Sequence, residues 1–291
     1  MSIVSTVFNF LFSCSDGKPG MLSKSGYHIS DDKVYYFGGL SSGPAIELIG
    51  ADPKSFKNLD EQGFPEGSYG KDKQHVYFEG KLISNANASS LVRLKGYFSR
   101  DQDHVFYLNQ ILSDDPDHFE FIDDNVHKDC KHVYWSDKII SDDPASFKLI
   151  GQSGGSSYYK DQLGILANDT RIPGADAESF KPLAHGYSMD KSKVYLMEST
   201  QLQEVPNAEP SSFKVLNAFY TSDSQHVFWR GKPLPDSDPS TFEILNEESH
   251  CSRDKKQAYH WDIVIPNTDP TTFPNGKRCK YCTNEKIVFE D

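Results

Sequence analysis

The feature that most constrains the fold of this chain is a ten-residue word that returns along it. "DKQHVYFEGK" at 72–81 is followed by "DQDHVFYLNQ" at 101–110, "DCKHVYWSDK" at 129–138 and "DSQHVFWRGK" at 223–232. Each word has an Asp that begins a tight polar turn and then a β-branched and aromatic stretch, which is the pattern of a β-hairpin. A short hairpin cannot bury its own apolar face, so its recurrence predicts an all-β array of stacked repeats.

The register of the repeats follows from the apolar residue that opens the second hairpin strand. This anchor recurs 28 to 33 residues apart, except for the first pair, which lie 42 apart. The longer interval contains the loop "GGLSSGP" at 38–44, whose composition is typical of an insertion. The anchors are Val34, Val76, Val105, Val133, Ile165, Val194, Val227, Ala258 and Val288.

A second word, D-P-x-S/T-F, keeps the same register. Its Asp suits the N-cap and its Pro the first position of one helical turn, after which the Phe is expected to return to the core. The word or a close variant begins at Asp52, Asp115, Asp143, Asp176, Glu209, Asp238 and Asp269, and it decays to "NASSL" at 87–91.

Each repeat therefore predicts up to four short strands. An aromatic column precedes the hairpin turn, at Tyr27, Tyr69, Tyr97, Tyr158, Tyr187 and Tyr220. We expect one β-repeat domain over 26–291 with about eight and a half units, preceded at 1–25 by a strand or a weak signal-like segment.

The words "DDKVYYF", "DKQHVYF" and "DKSKVYL", each followed by D-P-x-S-F or a variant of it, resemble the DKNYY repeat family, and the resemblance covers essentially residues 26–291. The chain departs from the family word at Gln162-Leu163-Gly164, so we expect an irregular fifth repeat. Members of the family are largely uncharacterised. Some resemble partners of secreted bacterial toxins, which implies an immunity or inhibitor function.

Two arrangements of the repeats are open. Residues 281–289 supply only half of a unit, and 4–12 offer a spare strand, as in a propeller-like ring closed by its first and last strands. Repeats of about 30 residues are short for a propeller blade, which favours an open β-solenoid-like stack instead.

The net charge of the chain limits the classes of partner that it is expected to bind. The formal net charge of −12 argues against nucleic acid, because phosphate binding requires Lys and Arg. It suits a basic partner protein, or simply solubility.

No run approaches the ~20 apolar residues of a membrane span. The start "MSIVSTVFNFLFSCS" loosely resembles a lipoprotein signal ending at Cys14 but has no Lys or Arg. We expect a cytoplasmic protein, with a periplasmic or Cys14-anchored one as the alternative.

Two sets of residues could carry a metal. His75, His104, His132 and His226 precede the anchor, but Lys33, Lys193 and Gln257 share that position, so we interpret it as part of a turn. Cys251, Cys279 and Cys282 with His250 could form a tetrahedral zinc site. A disulfide in an exported protein, or free thiols, are the alternatives. The sequence otherwise predicts no cofactor.

We find no nucleophile elbow, phosphate loop or pair of catalytic carboxylates. The first hypothesis is therefore a non-enzymatic protein-binding scaffold, with a bacterial immunity protein that neutralises a toxin as its specific form. Contacts are expected at the loop tips 38–44, 151–156 and 198–207. A structural or cell-envelope repeat protein and an enzyme of unrecognised type are the alternatives. A site in the latter would be sought in the irregular unit, 157–172.

Overall fold

A computed structural model describes residues 18–20 and 22–290 of the chain, and none of them forms an α-helix. The expected strand at 4–12 and Cys14 lie outside the described residues. The chain divides into two compact units, one ending at Ile139 and the other beginning at Ile140. Four 3-10 turns occur among the described residues, at Leu40–Ser42, Asp60–Gln62, Ala184–Gly186 and Pro270–Thr272.

The first unit is built from short strands, the last of which extends two residues past the boundary. They are β1 (Gly26–Ser30), β2 (Lys33–Phe37), β3 (Ile46–Glu47), β4 (Lys57–Asn58), β5 (Tyr69–Lys71), β6 (Val76–Phe78), β7 (Lys81–Leu82), β8 (Val92–Arg93), β9 (Phe98–Arg100), β10 (Val105–Tyr107), β11 (Gln110–Ser113), β12 (Glu120–Phe121), β13 (Val126–Lys128), β14 (Val133–Trp135) and β15 (Lys138–Ser141).

The second unit is also built from short strands, a few of which are longer than those of the first. They are β16 (Lys148–Ser153), β17 (Ser156–Asp161), β18 (Gly164–Ala167), β19 (Thr170–Arg171), β20 (Lys181–Pro182), β21 (Tyr187–Met189), β22 (Val194–Glu198), β23 (Gln201–Glu204), β24 (Lys214–Val215), β25 (Tyr220–Ser222), β26 (Val227–Trp229), β27 (Lys232–Pro233), β28 (Glu243–Asn246), β29 (Cys251–Arg253), β30 (Ala258–His260), β31 (Ile263–Val264), β32 (Cys279–Cys282) and β33 (Ile287–Phe289).

Consecutive strands form small antiparallel sheets. Over the described residues there are seven four-stranded sheets, one three-stranded sheet (β1–β3) and one two-stranded sheet (β32–β33). The recurring word contains the hairpin turn and the second central strand of its sheet, as at 72–81, where β6 follows the turn and pairs with β5 through Val76 and Lys71. The D-P-x-S/T-F word lies between one sheet and the next. The predicted all-β repeat of up to four strands is confirmed.

The core consists of successive clusters that each join two consecutive sheets. Val34 of β2 packs in one cluster with Tyr77 of β6, and Ile165 of β18 packs with Tyr195 of β22 in another. The tyrosines of the aromatic column also form hydrogen bonds to the next repeat, as the Tyr69 hydroxyl does by donating to the Tyr97 carbonyl at 2.9 Å. A single sheet does not bury its aromatic face alone, as the repeat pattern predicts.

Three details of the register differ from the sequence prediction. Phe98, not Tyr97, occupies the aromatic column, because Phe98 pairs with Tyr107 as Tyr69 pairs with Phe78. The last anchor is Ile287 rather than Val288, since Ile287 pairs with Cys282. The helical turn expected in every D-P-x-S/T-F word occurs at Pro270–Thr272, while the others are ordinary turns.

The fifth repeat is irregular, as expected. Its strands β16 and β17 each contain six residues, whereas the corresponding strands β4 and β5 of the second repeat contain two and three. In the fifth repeat the sheet pairing extends to the turn itself, because Asp161 pairs with Gly164. The turn is no shorter than in the second repeat, where the Asp72 N–H donates to the His75 carbonyl at 3.0 Å.

Candidate functional site

The Asp that begins each hairpin turn, here called the hairpin aspartate, is buried and fully engaged. In Asp190, Oδ1 accepts the backbone N–H groups of Ser192 and Lys193 at 2.7 and 2.8 Å. Its Oδ2 accepts the backbone N–H of Asp176, in the preceding D-P-x-S/T-F loop, at 3.0 Å. The same carboxylate therefore closes its own turn and binds the previous repeat. The hairpin aspartates with this burial are Asp72, Asp101, Asp129, Asp161, Asp190, Asp223 and Asp254.

Two repeats use a serine as an intermediary. Ser113 Oγ donates to Asp129 at 2.5 Å and accepts the backbone N–H of Asp115 at 3.0 Å. Ser141 does the same between Asp161 and Asp143. The connection between a loop and the next hairpin is therefore retained through the serine hydroxyl, and these aspartates have a structural role.

The histidines that precede the anchor are part of the turn, in agreement with our interpretation. The backbone N–H groups of His75, His104 and His132 donate to their hairpin aspartates at 2.7, 2.8 and 2.7 Å. Lys193 makes the same bond in its own repeat. Because the position contributes a backbone donor, many residue types satisfy it.

The C-terminal cysteines do not assemble as the candidate zinc site, and the disulfide alternative is present instead. Cys251 and Cys282 form a disulfide, with their Cα atoms 5.7 Å apart, so neither has a thiolate to donate to a metal. Cys279 is a buried free thiol in the same apolar cluster, and burial raises its pKa. His250 lies instead among Phe219, Trp229 and Trp261.

We predict that the disulfide stabilises the C-terminal repeats by about 3 kcal/mol, since it closes a loop in the unfolded chain over a separation of 31 residues. Urea denaturation of the oxidised protein with and without reductant, and of the Cys282→Ser variant, measures this. Reduced protein and variant should agree in stability. No effect of reductant on the unfolding midpoint would contradict the prediction.

The three loop tips expected to bind a partner differ in availability. The 38–44 loop is open, with Leu40 exposed. The 151–156 tip is not free, because Ser153 Oγ accepts the Gly186 N–H at 2.8 Å and a side chain at Gly154 would collide with the Gly186 backbone. The 198–207 segment is largely exposed and forms one wall of a groove.

This groove, in the second unit, is the candidate site that two segments of the chain form together. It encloses about 450 Å³ and is lined by Ala167, by 169–173 and by 200–203. Its two walls include β19 and β23, each the outermost strand of its sheet. Edge strands present backbone donors and acceptors to an incoming chain. The groove therefore combines a concave shape with the geometry needed to add an extended segment.

The chemistry of the groove is mostly uncharged. Thr170, Gln201 and Gln203 are exposed amides and hydroxyls beside the partly buried aliphatic side chains of Ile172 and Leu202. Arg171 is held in place by Asp161, which accepts from both guanidinium nitrogens at 2.8 and 2.6 Å. This pairing leaves little net charge from the cation, so the surface suits a peptide backbone better than an ion.

The sequence indicated the fifth repeat and the 198–207 tip separately, but not that they face each other. The signal that could have joined them is the outer-strand position of both segments in consecutive repeats. None of the described helical segments is long and apolar enough to cross a membrane.

The family model of the "DKNYY family" matches residues 27–166 and 201–262, more than half of the chain. No curated protein and no solved structure matches the chain. The matched ranges leave out 167–200, which supplies most of the residues that line the groove. The recurring four-stranded sheets and this match together show that the chain belongs to the DKNYY family.

Proposed function

We propose that the protein is a non-enzymatic scaffold that binds a partner protein through the groove between the fifth and sixth repeats. The observation that carries this proposal is the groove itself, which is walled by two edge strands of consecutive sheets. The repeats support the scaffold, and the side chains of the groove supply the specificity.

The occupant that fits is an extended segment of the partner. Its backbone would pair with β19 or β23, and its side chains would meet Ile172 and Leu202. The net charge of −12 favours a basic partner, by steering it toward the scaffold. An immunity protein that neutralises a bacterial toxin is the specific form that we propose.

The ring and the open stack both stay predictions from the sequence. A propeller-like ring is the arrangement that we propose, with the β-solenoid-like stack as the alternative. The groove is compatible with either, because it is built within two consecutive repeats of the second unit.

The test is capture of a partner by the tagged full chain from its own cells, followed by titration of the purified partner. Thr170→Arg and Gln203→Arg place long charged side chains at the exposed rim of the groove. Each should weaken the complex at least about tenfold, which corresponds to about 1.4 kcal/mol. The matched control is Leu40→Arg, an exposed residue of the 38–44 loop in the other unit.

Loss of binding in the Leu40→Arg variant alone would move the interface away from the groove. A chain that captures no stoichiometric partner would favour the structural or envelope role. Turnover of a substrate by the purified protein, abolished by a groove substitution, would favour an enzyme. If the captured partner is a toxin, its activity should fall as wild-type protein is added and should recover with Gln203→Arg.

A further inference from the structure

The third D-P-x-S/T-F loop and the hairpin that follows it depart from the other repeats at two positions. His118 occupies the place that Ser or Thr takes elsewhere, at Ser55, Ser90, Ser146, Ser179, Ser212, Thr241 and Thr272. Cys130 follows its hairpin aspartate where other repeats have Lys73, Gln102, Gln162, Lys191, Ser224 and Lys255. Both departures lie beside the same carboxylate, that of Asp115.

Three other repeats have a lysine ammonium beside the carboxylate of the loop aspartate. Lys191 Nζ lies 2.7 Å from Asp176, and Lys255 Nζ lies 2.5 Å from Asp238. The hydroxyl of the loop Ser or Thr accepts the backbone N–H of that lysine, as Ser179 does at 2.9 Å. A lysine ammonium thus lies against the carboxylate of the loop aspartate.

The third repeat keeps the carboxylate and replaces the lysine. His118 Nδ1 lies 2.7 Å from Asp115 Oδ1, and the backbone N–H of Cys130 donates to Asp115 Oδ2 at 3.3 Å. One ligand atom from each of Asp115, His118 and Cys130 lies within 4.8 Å of the others.

We propose that Asp115, His118 and Cys130 bind a divalent zinc-type cation in the place that a lysine ammonium occupies in three other repeats. Carboxylate, imidazole and thiolate are all zinc ligands, and three protein ligands leave a fourth tetrahedral position for water. Thiolate and imidazole together select zinc-like ions over Mg²⁺ and Ca²⁺. Binding releases the thiol proton of Cys130 to solvent and leaves the metal oxidation state unchanged.

The geometry needs only small side-chain rotations. Ligand atoms about 2.0–2.3 Å from a tetrahedral zinc lie roughly 3–4 Å from each other, and here the ligand atoms all lie within 4.8 Å of one another. His118 and Cys130 are both exposed and free to adjust. The backbone beneath them is fixed, because Lys131 pairs with Asp114 at 2.9 Å and Ser113 joins the loop to Asp129.

The test is titration of the untagged full chain with Co²⁺, the probe whose thiolate charge-transfer absorption reports a cobalt–sulfur bond. All proteins carry Cys14→Ser, so that Cys130 is the exposed thiol under study. We expect one equivalent of Co²⁺ with a thiolate band, displaced by Zn²⁺. Cys130→Ser should lose the band, and His118→Ser should weaken binding at least tenfold, because even a residue that only orients a ligand is worth about 10–100-fold.

The control variants follow from the repeats themselves. The double variant His118→Ser, Cys130→Lys introduces the residue types found at Ser179 and Lys191 and should fold normally, measured by its thermal midpoint, without binding Co²⁺. His75→Ala should bind like wild type. The proposal is overturned if wild type shows no thiolate band, or if the double variant binds Co²⁺ as tightly as wild type.

Discussion

The Asp190→Ala variant should unfold with about 4 kcal/mol less free energy than wild type. Asp190 is buried and accepts four hydrogen bonds, three from backbone N–H groups and one from the Tyr195 hydroxyl at 2.9 Å. A buried donor left without an acceptor costs about 1–3 kcal/mol, and relaxation makes the sum less than additive. Urea denaturation measures the difference, and Asp262→Ala, at an exposed turn, is the matched control.

The same variant should also change the response to acid. Burial alone raises the pKa of Asp190, but its hydrogen-bond donors outweigh that effect and hold the pKa below its ordinary value. A lowered folded-state pKa contributes stability that is complete well above the unfolded value of about 3.9 and is lost as pH falls through the folded value. Between about pH 5 and pH 3, wild type should therefore lose more stability than Asp190→Ala. Parallel pH profiles would contradict the role assigned to this carboxylate.

The Phe147→Ala variant should lose about 4 kcal/mol, the usual cost of truncating a buried Phe. Phe147 is 6% exposed and stacks on Tyr159, with ring centroids 5.2 Å apart. It is the residue by which the fourth D-P-x-S/T-F loop reaches the core. Chemical denaturation gives the value, and Leu149→Ala, two residues along and 42% exposed, should change stability by less than about 1 kcal/mol.

Phe119 occupies the same place one repeat earlier but is only partly buried. The sequence alone predicts equal costs for Phe119 and Phe147. The structure predicts that Phe119→Ala costs about half as much, since less apolar area returns to water. Equal losses at both positions, measured by the same denaturation, would show that burial does not explain the role of the loop Phe.

Local patterns explain why the strands and turns could be read from the sequence. The hairpin aspartate closes its turn through backbone donors two and three residues ahead, and the anchor valines are buried in every complete repeat, so both features recur with the repeat period. The position of Phe98 rather than Tyr97 in the aromatic column could not be predicted in this way. Two adjacent aromatic residues fit the column equally well, and only the strand pairing decides between them.

Features that join distant residues were missed for a different reason. The groove brings 169–173 together with 200–203, and the cluster at Asp115 joins His118 to Cys130. No local pattern marks either pair, but an alignment of the repeats against one another exposes both positions of the cluster as departures. The disulfide shows the same limit, since three nearby cysteines allow several pairings and the fold chooses Cys251 with Cys282.

The bond from each hairpin aspartate to the preceding loop gives the array a direction. The carboxylate of each hairpin aspartate completes the loop that precedes its sheet, as Asp190 does for the loop at Asp176. A sheet moved as a block would therefore place its hairpin aspartate after a loop from a different protein. Exchange of modules between such proteins should therefore succeed at the turns inside a sheet, for example between β22 and β23, where the loop and the following hairpin travel together. Chimeras that exchange whole sheets should therefore fail to fold at the junctions between sheets, although each sheet is itself intact.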